Sequence, residues 1–259
     1  METSRRNFLK IGGLCALGLS SLEVAEAFAK SQTAKFLNNP QAVTAKRWAM
    51  AIDVKKCWQA EKENCKDCIV ACDWAHNIPE IPVQRQEVRW IWNEKFENAF
   101  PDQESSLEPE EIREKPFLVL CNQCLQAPCV RVCPTKATFK NAEGITMMDY
   151  HRCIGCRYCM AACPYGARSF NWRDPRPFIK KINPAYPTRE RGVVEKCDFC
   201  VERLAFGKVP ACVEACKSKA LIFGDLDDPN SDVRKALASR YSIRRKPGLG
   251  TMPGVYYLI

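Results

Sequence analysis

The residues able to do chemistry in this sequence are its cysteines. Of seventeen in 259 residues, Cys15 stands alone near the start and sixteen fall into four groups of four. The first group is Cys57, Cys65, Cys68 and Cys72, and the second is Cys121, Cys124, Cys129 and Cys133. The third is Cys153, Cys156, Cys159 and Cys163, and the fourth is Cys197, Cys200, Cys212 and Cys216. Thiolates are soft ligands, and clustered cysteines in a chain of this length point to metal before disulfides. No Cys-x-x-Cys pair is followed by His, so covalent attachment of a c-type haem is excluded.

The third group reads C-x2-C-x2-C-x3-C-P, the spacing that wraps a 4Fe-4S cube. Three thiolates two residues apart occupy one tight loop around three corners. The fourth starts a helical turn that carries it toward a neighbouring cube, and Pro164 ends that turn. The second group has the same plan with two residues inserted before its third Cys, and Pro134 trails it. The first widens the opening gap, between Cys57 and Cys65, and the fourth widens the gap before Cys212. Asp73 and Lys217 stand where Pro would follow. The rival is four zinc sites, but structural zinc pairs two separated Cys-x-x-Cys knuckles and seldom uses such a run. Sixteen cysteines therefore predict four 4Fe-4S clusters, with every one of them a ligand.

A short apolar stretch precedes each group and has to position it. Trp48, Met50, Ile52 and Val54 alternate before Cys57, residues 117–120 precede Cys121, residues 145–148 precede Cys153, and Val193 and Val194 precede Cys197. Residues 135–139 and 145–148 flank Asn141-Ala142-Glu143-Gly144, a hairpin turn. Residues 220–223 read as a returning strand, and Asn230 or Ser231 caps a short helix running to Arg240. The fold class is α+β, with small strands and one-turn helices around inorganic cores.

The N-terminus reads Ser-Arg-Arg-Asn-Phe-Leu-Lys, then an apolar stretch over residues 11–22, then Ala27-Phe28-Ala29. That is the layout of a twin-arginine (Tat) signal peptide, the alternative being a short amphipathic helix. The stretch is well short of the roughly 20 residues that span a bilayer. Tat export moves folded protein, which suits a cofactor assembled in a reducing cytoplasm. The formal charge is +9, and loss of residues 1–29 removes three cations and three acids, leaving it unchanged. Four clusters with their thiolates carry about −8, so the basic excess offsets the cofactors and does not imply nucleic acid.

Two insertions interrupt the plan. Residues 73–116 hold Val88, Trp90 and Trp92 at strand spacing, either a small core or a partner surface, followed by an acidic stretch with Glu104, Glu108, Glu110, Glu111 and Glu114. Residues 173–191 are basic and Pro-rich, with Arg173, Arg176, Lys180, Lys181, Arg189 and Arg191. The basic insertion and the apolar end Tyr256-Tyr257-Leu258-Ile259 are expected to face other subunits. After signal removal only His76 and His151 offer imidazoles, no spare Cys is left, and no nucleotide fingerprint is present. The expectation is a carrier, not a catalyst.

With these runs laid out, the chain resembles the four-cluster ferredoxin-like electron-transfer subunits of membrane-associated oxidoreductases, the beta subunits of dimethyl sulfoxide, polysulfide, tetrathionate and formate-dependent nitrite reductases among them. CIGCRYCMAACPYGAR at 153–168, VEKCDFCVERLAFGKVPACVEAC at 194–216 and FGDLDDP at 223–229 carry the resemblance. Residues 76–101 and 151–178 are similar to the DsrO-type subunits (Hme-type in archaea) of DsrMKJOP complexes. The gap between Cys57 and Cys65 departs from the family's usual opening.

The resemblance implies two nested bacterial-ferredoxin-like units, an outer one of residues 30–72 plus 192–228 and an inner one of 117–172. Insertions at 73–116 and 173–191 and a helix and tail at 229–259 surround them. It implies an extracytoplasmic location, attachment to the membrane through partners, and an electron path between a multihaem cytochrome c subunit and an NrfD-type quinone-reacting membrane subunit, linked to sulfate or sulfite metabolism. The analogous subunit of a molybdopterin reductase such as tetrathionate reductase is the alternative. In two-cluster ferredoxins the fourth Cys ligates the other cluster. With the family's nested order, that gives Cys121, Cys124, Cys129 with Cys163, and Cys153, Cys156, Cys159 with Cys133. It also gives Cys57, Cys65, Cys68 with Cys216, and Cys197, Cys200, Cys212 with Cys72. The rival is each run closing its own cluster.

Overall fold

The computed structural model describes residues 39–61, 65–105, 107 and 109–259. The twin-arginine segment and Cys15 lie outside them. The account below concerns the unit Gln41–Ile259. Ten short strands follow one another: β1 (Trp48–Asp53), β2 (Ile91–Glu94), β3 (Phe117–Leu120), β4 (Thr138–Lys140), β5 (Thr146–Met148), β6 (Ser169–Phe170), β7 (Val194–Glu195), β8 (Leu221–Asp225), β9 (Ser242–Ile243) and β10 (Val255–Leu258). They form one four-stranded sheet in the order β8-β1-β10-β9 and three two-stranded ladders, β2-β3, β4-β5 and β6-β7.

All six residues of β1 are buried, because both faces of this strand are covered. Trp48, Met50 and Ile52 enter the main core, where Trp48 stacks on Phe223 with centroids 4.8 Å apart. Ala49 and Ala51 face the other way and pack with Val233 of helix Asp232–Ser239. Small residues on that face let the helix sit close. Of the two candidates Asn230 and Ser231, it is Ser231 that caps it, accepting from the Arg234 amide at 3.2 Å. Val54, which the alternating pattern counts as strand, instead starts helix Val54–Glu61.

The C-terminal stretch differs from its sequence-based expectation. Residues 255–258 are β10, an interior strand paired parallel to β1 (Met50 with Val255) and antiparallel to β9. Val255, Tyr257 and Leu258 are buried, and the Tyr257 hydroxyl donates to the Leu118 carbonyl at 3.0 Å. The apolar tail thus completes the core, with Tyr256 half-buried and only Ile259 exposed. Its composition was too apolar for solvent, but only the sheet reveals what covers it.

The basic insertion is partly structural as well. Asn77, in the left-handed region at φ 52, donates to the carbonyls of Asn183 (3.0 Å) and Tyr186 (2.6 Å) and accepts from the Asn183 amide at 2.7 Å. This straps residues 183–186 to the end of helix Asp67–Ala75. Arg189, 2% exposed, pairs with the wholly buried Glu195 at 2.7 Å. The Glu195 carboxylate also accepts from Trp90 Nε1 at 2.9 Å and Asn171 Nδ2 at 2.5 Å. Trp90 is therefore core, anchoring the first insertion to β7. Arg176, Lys180, Lys181 and Arg191 remain exposed.

Two outcomes follow from this packing. Removing residues 254–259 takes out an interior strand, so the truncated chain is expected not to accumulate as folded protein, read as loss of soluble, protease-resistant material. Arg189→Met leaves the Glu195 carboxylate buried without its cation, which costs about 3–5 kcal/mol. A denaturation midpoint unchanged from the parent protein would contradict that pairing.

Candidate metal centres

A repeated backbone device places the thiols. In three runs the residue before the second Cys is left-handed: Gln123 (φ 45), Gly155 (φ 70) and Phe199 (φ 58). This turn folds the first two thiols toward one centre. Gly155 is required, since a Cβ there would meet the Gly192 carbonyl oxygen at 2.4 Å. Three residues after the fourth Cys the chain is left-handed again, at Lys136 (φ 55), Gly166 (φ 63) and Lys219 (φ 51). Backbone amides then point back at the sulfur: Thr138 N lies 3.5 Å from Cys133 Sγ and Ala220 N 3.3 Å from Cys216 Sγ. The first run lacks the second of these turns. Its helix continues past Cys72 to Ala75, and no Pro follows the Cys to stop it.

Strand pairing then decides which runs meet. β1 ends just before Cys57 and β8 starts just after Cys216, and their antiparallel register sets Ile52 opposite Leu221. Cys57, Cys65, Cys68 and Cys216 line one cavity with Trp58, Ile69, Leu118 and Leu221. β4 follows Cys133 and β5 precedes Cys153, with Thr138 opposite Met148. The Cys159 thiol accordingly feels those of Cys129, Cys153 and Cys133. Cys121, Cys124, Cys129 and Cys163 line another cavity with Tyr165 and Arg168. Cys72 lies against Cys197, Cys212 and Cys200, all four buried. Cys156 is exposed on its loop.

The electrostatics of these groups fit a cation at each. Burial first, then the neighbouring thiols Cys121 and Cys163, pushes Cys124 up to about 12. Burial and the thiols of Cys212, Cys57, Cys216 and Cys65 raise Cys68 far above the ordinary thiol range. Burial likewise pushes Cys212 up to about 12, opposed by backbone amides and helped by Cys216. Thiols so crowded and desolvated ionise together only if positive charge sits among them. Cys133 goes the other way. Burial acts to raise it, but bonds from Thr138, Thr135 and Ala137 outweigh burial and lower it.

Thiols of successive groups also interact: Cys68 with Cys212, Cys197 with Cys121, and Cys129 with Cys159. The coupling gives a series from Cys57/Cys65/Cys68/Cys216 through Cys72/Cys197/Cys200/Cys212 and Cys121/Cys124/Cys129/Cys163 to Cys133/Cys153/Cys159. Polar side chains clamp the joint between its halves. Gln123 donates to the Cys197 carbonyl at 2.9 Å and accepts from the Thr146 amide at 2.8 Å. Buried Lys196 donates to the carbonyls of Thr146 and, at 2.6 Å, Cys197.

His76, Cys200 and Glu202 also bring ligand atoms within 4.8 Å of one another. Cys200 already belongs to a group of four thiols, and His76 is held by Glu202 at 3.1 Å and the Cys72 carbonyl at 3.1 Å. Sequence reading passed over Gln123, Lys196 and Arg168. Their signal was only adjacency to a cysteine run.

A family described as "4Fe-4S dicluster domain" matches residues 116–178 and 182–226. An Hdr-like menaquinol oxidoreductase iron-sulfur subunit 1 of Archaeoglobus fulgidus is 42% identical, over 98% of this chain and 97% of the relative. The iron-sulfur cluster-binding subunit of a menaquinone reductase from Nitratidesulfovibrio vulgaris is 38% identical over 82% and 88%. A tetrathionate reductase subunit of Salmonella typhimurium is 33% identical over 100% and 89%. A scaffold of thiol quartets in a small α+β fold with these relatives defines the class: the chain belongs to the family of 4Fe-4S electron-transfer subunits of respiratory oxidoreductases. It is a carrier subunit, not the catalytic one. No helix among the described residues is long and apolar enough to cross a membrane.

Proposed function

We propose that this chain carries four 4Fe-4S clusters and relays electrons along them within an exported respiratory complex. The ligand sets would be Cys57, Cys65, Cys68 and Cys216; Cys72, Cys197, Cys200 and Cys212; Cys121, Cys124, Cys129 and Cys163; and Cys133, Cys153, Cys156 and Cys159. The observation that carries the reading is the series of thiol groups, each coupled electrostatically to the next through a pair of cysteines. Each cluster, when bound, takes up and gives back one electron. The residues of the chain hold the clusters in sequence, bury all four thiols of the Cys72/Cys197/Cys200/Cys212 group, and leave Cys156 at the surface as one end of the path.

The partners proposed are a multihaem cytochrome c subunit and an NrfD-type integral membrane subunit that reacts with quinone. Support comes from relatives named as subunits of a menaquinol oxidoreductase and a menaquinone reductase. The link to sulfate or sulfite metabolism rests on the resemblance at 76–101 and 151–178 to DsrO-type subunits. The tetrathionate reductase relative, matched over the whole chain, keeps a molybdopterin-enzyme partner as the second reading. Gene neighbours discriminate: a triheme cytochrome c with an HdrD-like subunit, or a large molybdopterin subunit.

Anaerobically prepared protein should contain about sixteen irons and sixteen acid-labile sulfides per chain. Zinc at about four per chain in place of iron overturns the reading. Export by the Tat route, with the protein outside the cytoplasmic membrane, is the proposed location. Changing Arg5 and Arg6 together to Lys should strand the protein in the cytoplasm with its visible absorption intact. Normal export of that variant would mean the N-terminus directs something else.

A further inference from the structure

Arg168 is 5% exposed, yet none of the described residues gives it a carboxylate partner. Nη1 donates to Thr138 Oγ1 at 3.2 Å and approaches Met148 Sδ at 3.8 Å. Nη2 is buried with no hydrogen-bond partner. The side chain lines the cavity of Cys121, Cys124, Cys129 and Cys163, and its charge acts on Cys129, Cys159 and Cys121. Cys159 belongs to the next group along the series. One guanidinium thus stands between two thiol quartets, its free N–H groups turned toward sulfur.

A buried guanidinium without a counter-charge is costly, and such groups are normally paired. Here the negative charge has to come from the thiolates and the clusters they would hold. A fixed cation stabilises the more negative, reduced form of a cluster, and it acts strongly where water is excluded. The position follows from the fold. The left-handed Gly166 turns the chain after Cys163, and Ala167, 3% exposed, packs beneath the cavity, so that Arg168 emerges between β4 and β5 on one side and the cysteines on the other.

We propose that Arg168 is the shared counter-cation of the clusters at Cys121/Cys124/Cys129/Cys163 and Cys133/Cys153/Cys156/Cys159 and raises the reduction potential of both. This rests on the reading that Cys121/Cys124/Cys129/Cys163 and Cys133/Cys153/Cys156/Cys159 hold clusters. Iron content of the unchanged protein tests that reading separately. Arg168 acts on the clusters by its charge, so a residue that keeps the charge should rescue it. Buried Lys196 holds its ammonium on the carbonyls of Thr146 and Cys197, and it is unchanged in both variants below.

The test is a redox titration followed by electron paramagnetic resonance on the anaerobically purified full chain and its Arg168→Met and Arg168→Lys variants. In R168M two of the midpoint potentials should fall, each corresponding to at least a tenfold weaker reduction equilibrium, about 59 mV for a one-electron couple. The other two should stay in place, and R168K should remain near the parent values. Loss of about eight irons from R168M with full content in R168K also supports the proposal, because charge alone then separates the variants. Unmoved potentials in an R168M protein with full iron content overturn it. So does equal loss of iron from both variants, which would make Arg168 a packing residue only.

Discussion

Thiolates gathered around one point repel one another, and burial makes that repulsion worse. Every thiol quartet in this protein sets that problem, and the rest of the structure answers it. Metal charge at the centre of a quartet would supply the main attraction. The protein adds backbone amides aimed at sulfur, as at Cys133 and Cys216, and fixed cations, as at Arg168. A chain with so little regular secondary structure can then be stable, because its inorganic cores replace part of the hydrophobic one.

The nested connectivity is what turns four sites into a series. Pairing of β1 with β8 brings the first run to the last, and pairing of β4 with β5 brings the second to the third. In the proposed sets each quartet borrows its fourth thiol from another run, so that neighbouring quartets would be held by the same short helices. The distance between them is set by covalent geometry more than by flexible packing. A carrier benefits directly, since electron transfer falls steeply with distance and a rigid spacing fixes the rate.

The insertions and the tail divide between scaffold and surface in a way their composition does not announce. Arg189 and Arg191 stand two residues apart in one basic segment. Arg189 is buried against Glu195, while Arg191 is exposed. The apolar C-terminus is an interior strand. Arg176, Lys180, Lys181 and Arg191 of that segment are exposed.

The sequence by itself determined the chemistry. Cysteine spacing encodes local loop geometry: three thiols within one turn and a fourth carried off by a helix start. Short-range stereochemistry of that kind is written in neighbouring residues, and so the strands at 117–120 and 146–148, the hairpin turn after Lys140 and the Ser231 cap were legible too. Tertiary structure alone decided the rest. The left-handed turns at Gln123, Phe199, Lys136 and Lys219 fall on residues that do not advertise them, because the surrounding contacts stabilise a conformation their side chains disfavour. The interior place of β10, the burial of Arg189 and the position of Arg168 between two quartets depend on residues distant in the chain. Charge and hydrophobicity say that a side chain needs a partner, but the partner's identity is a property of the fold.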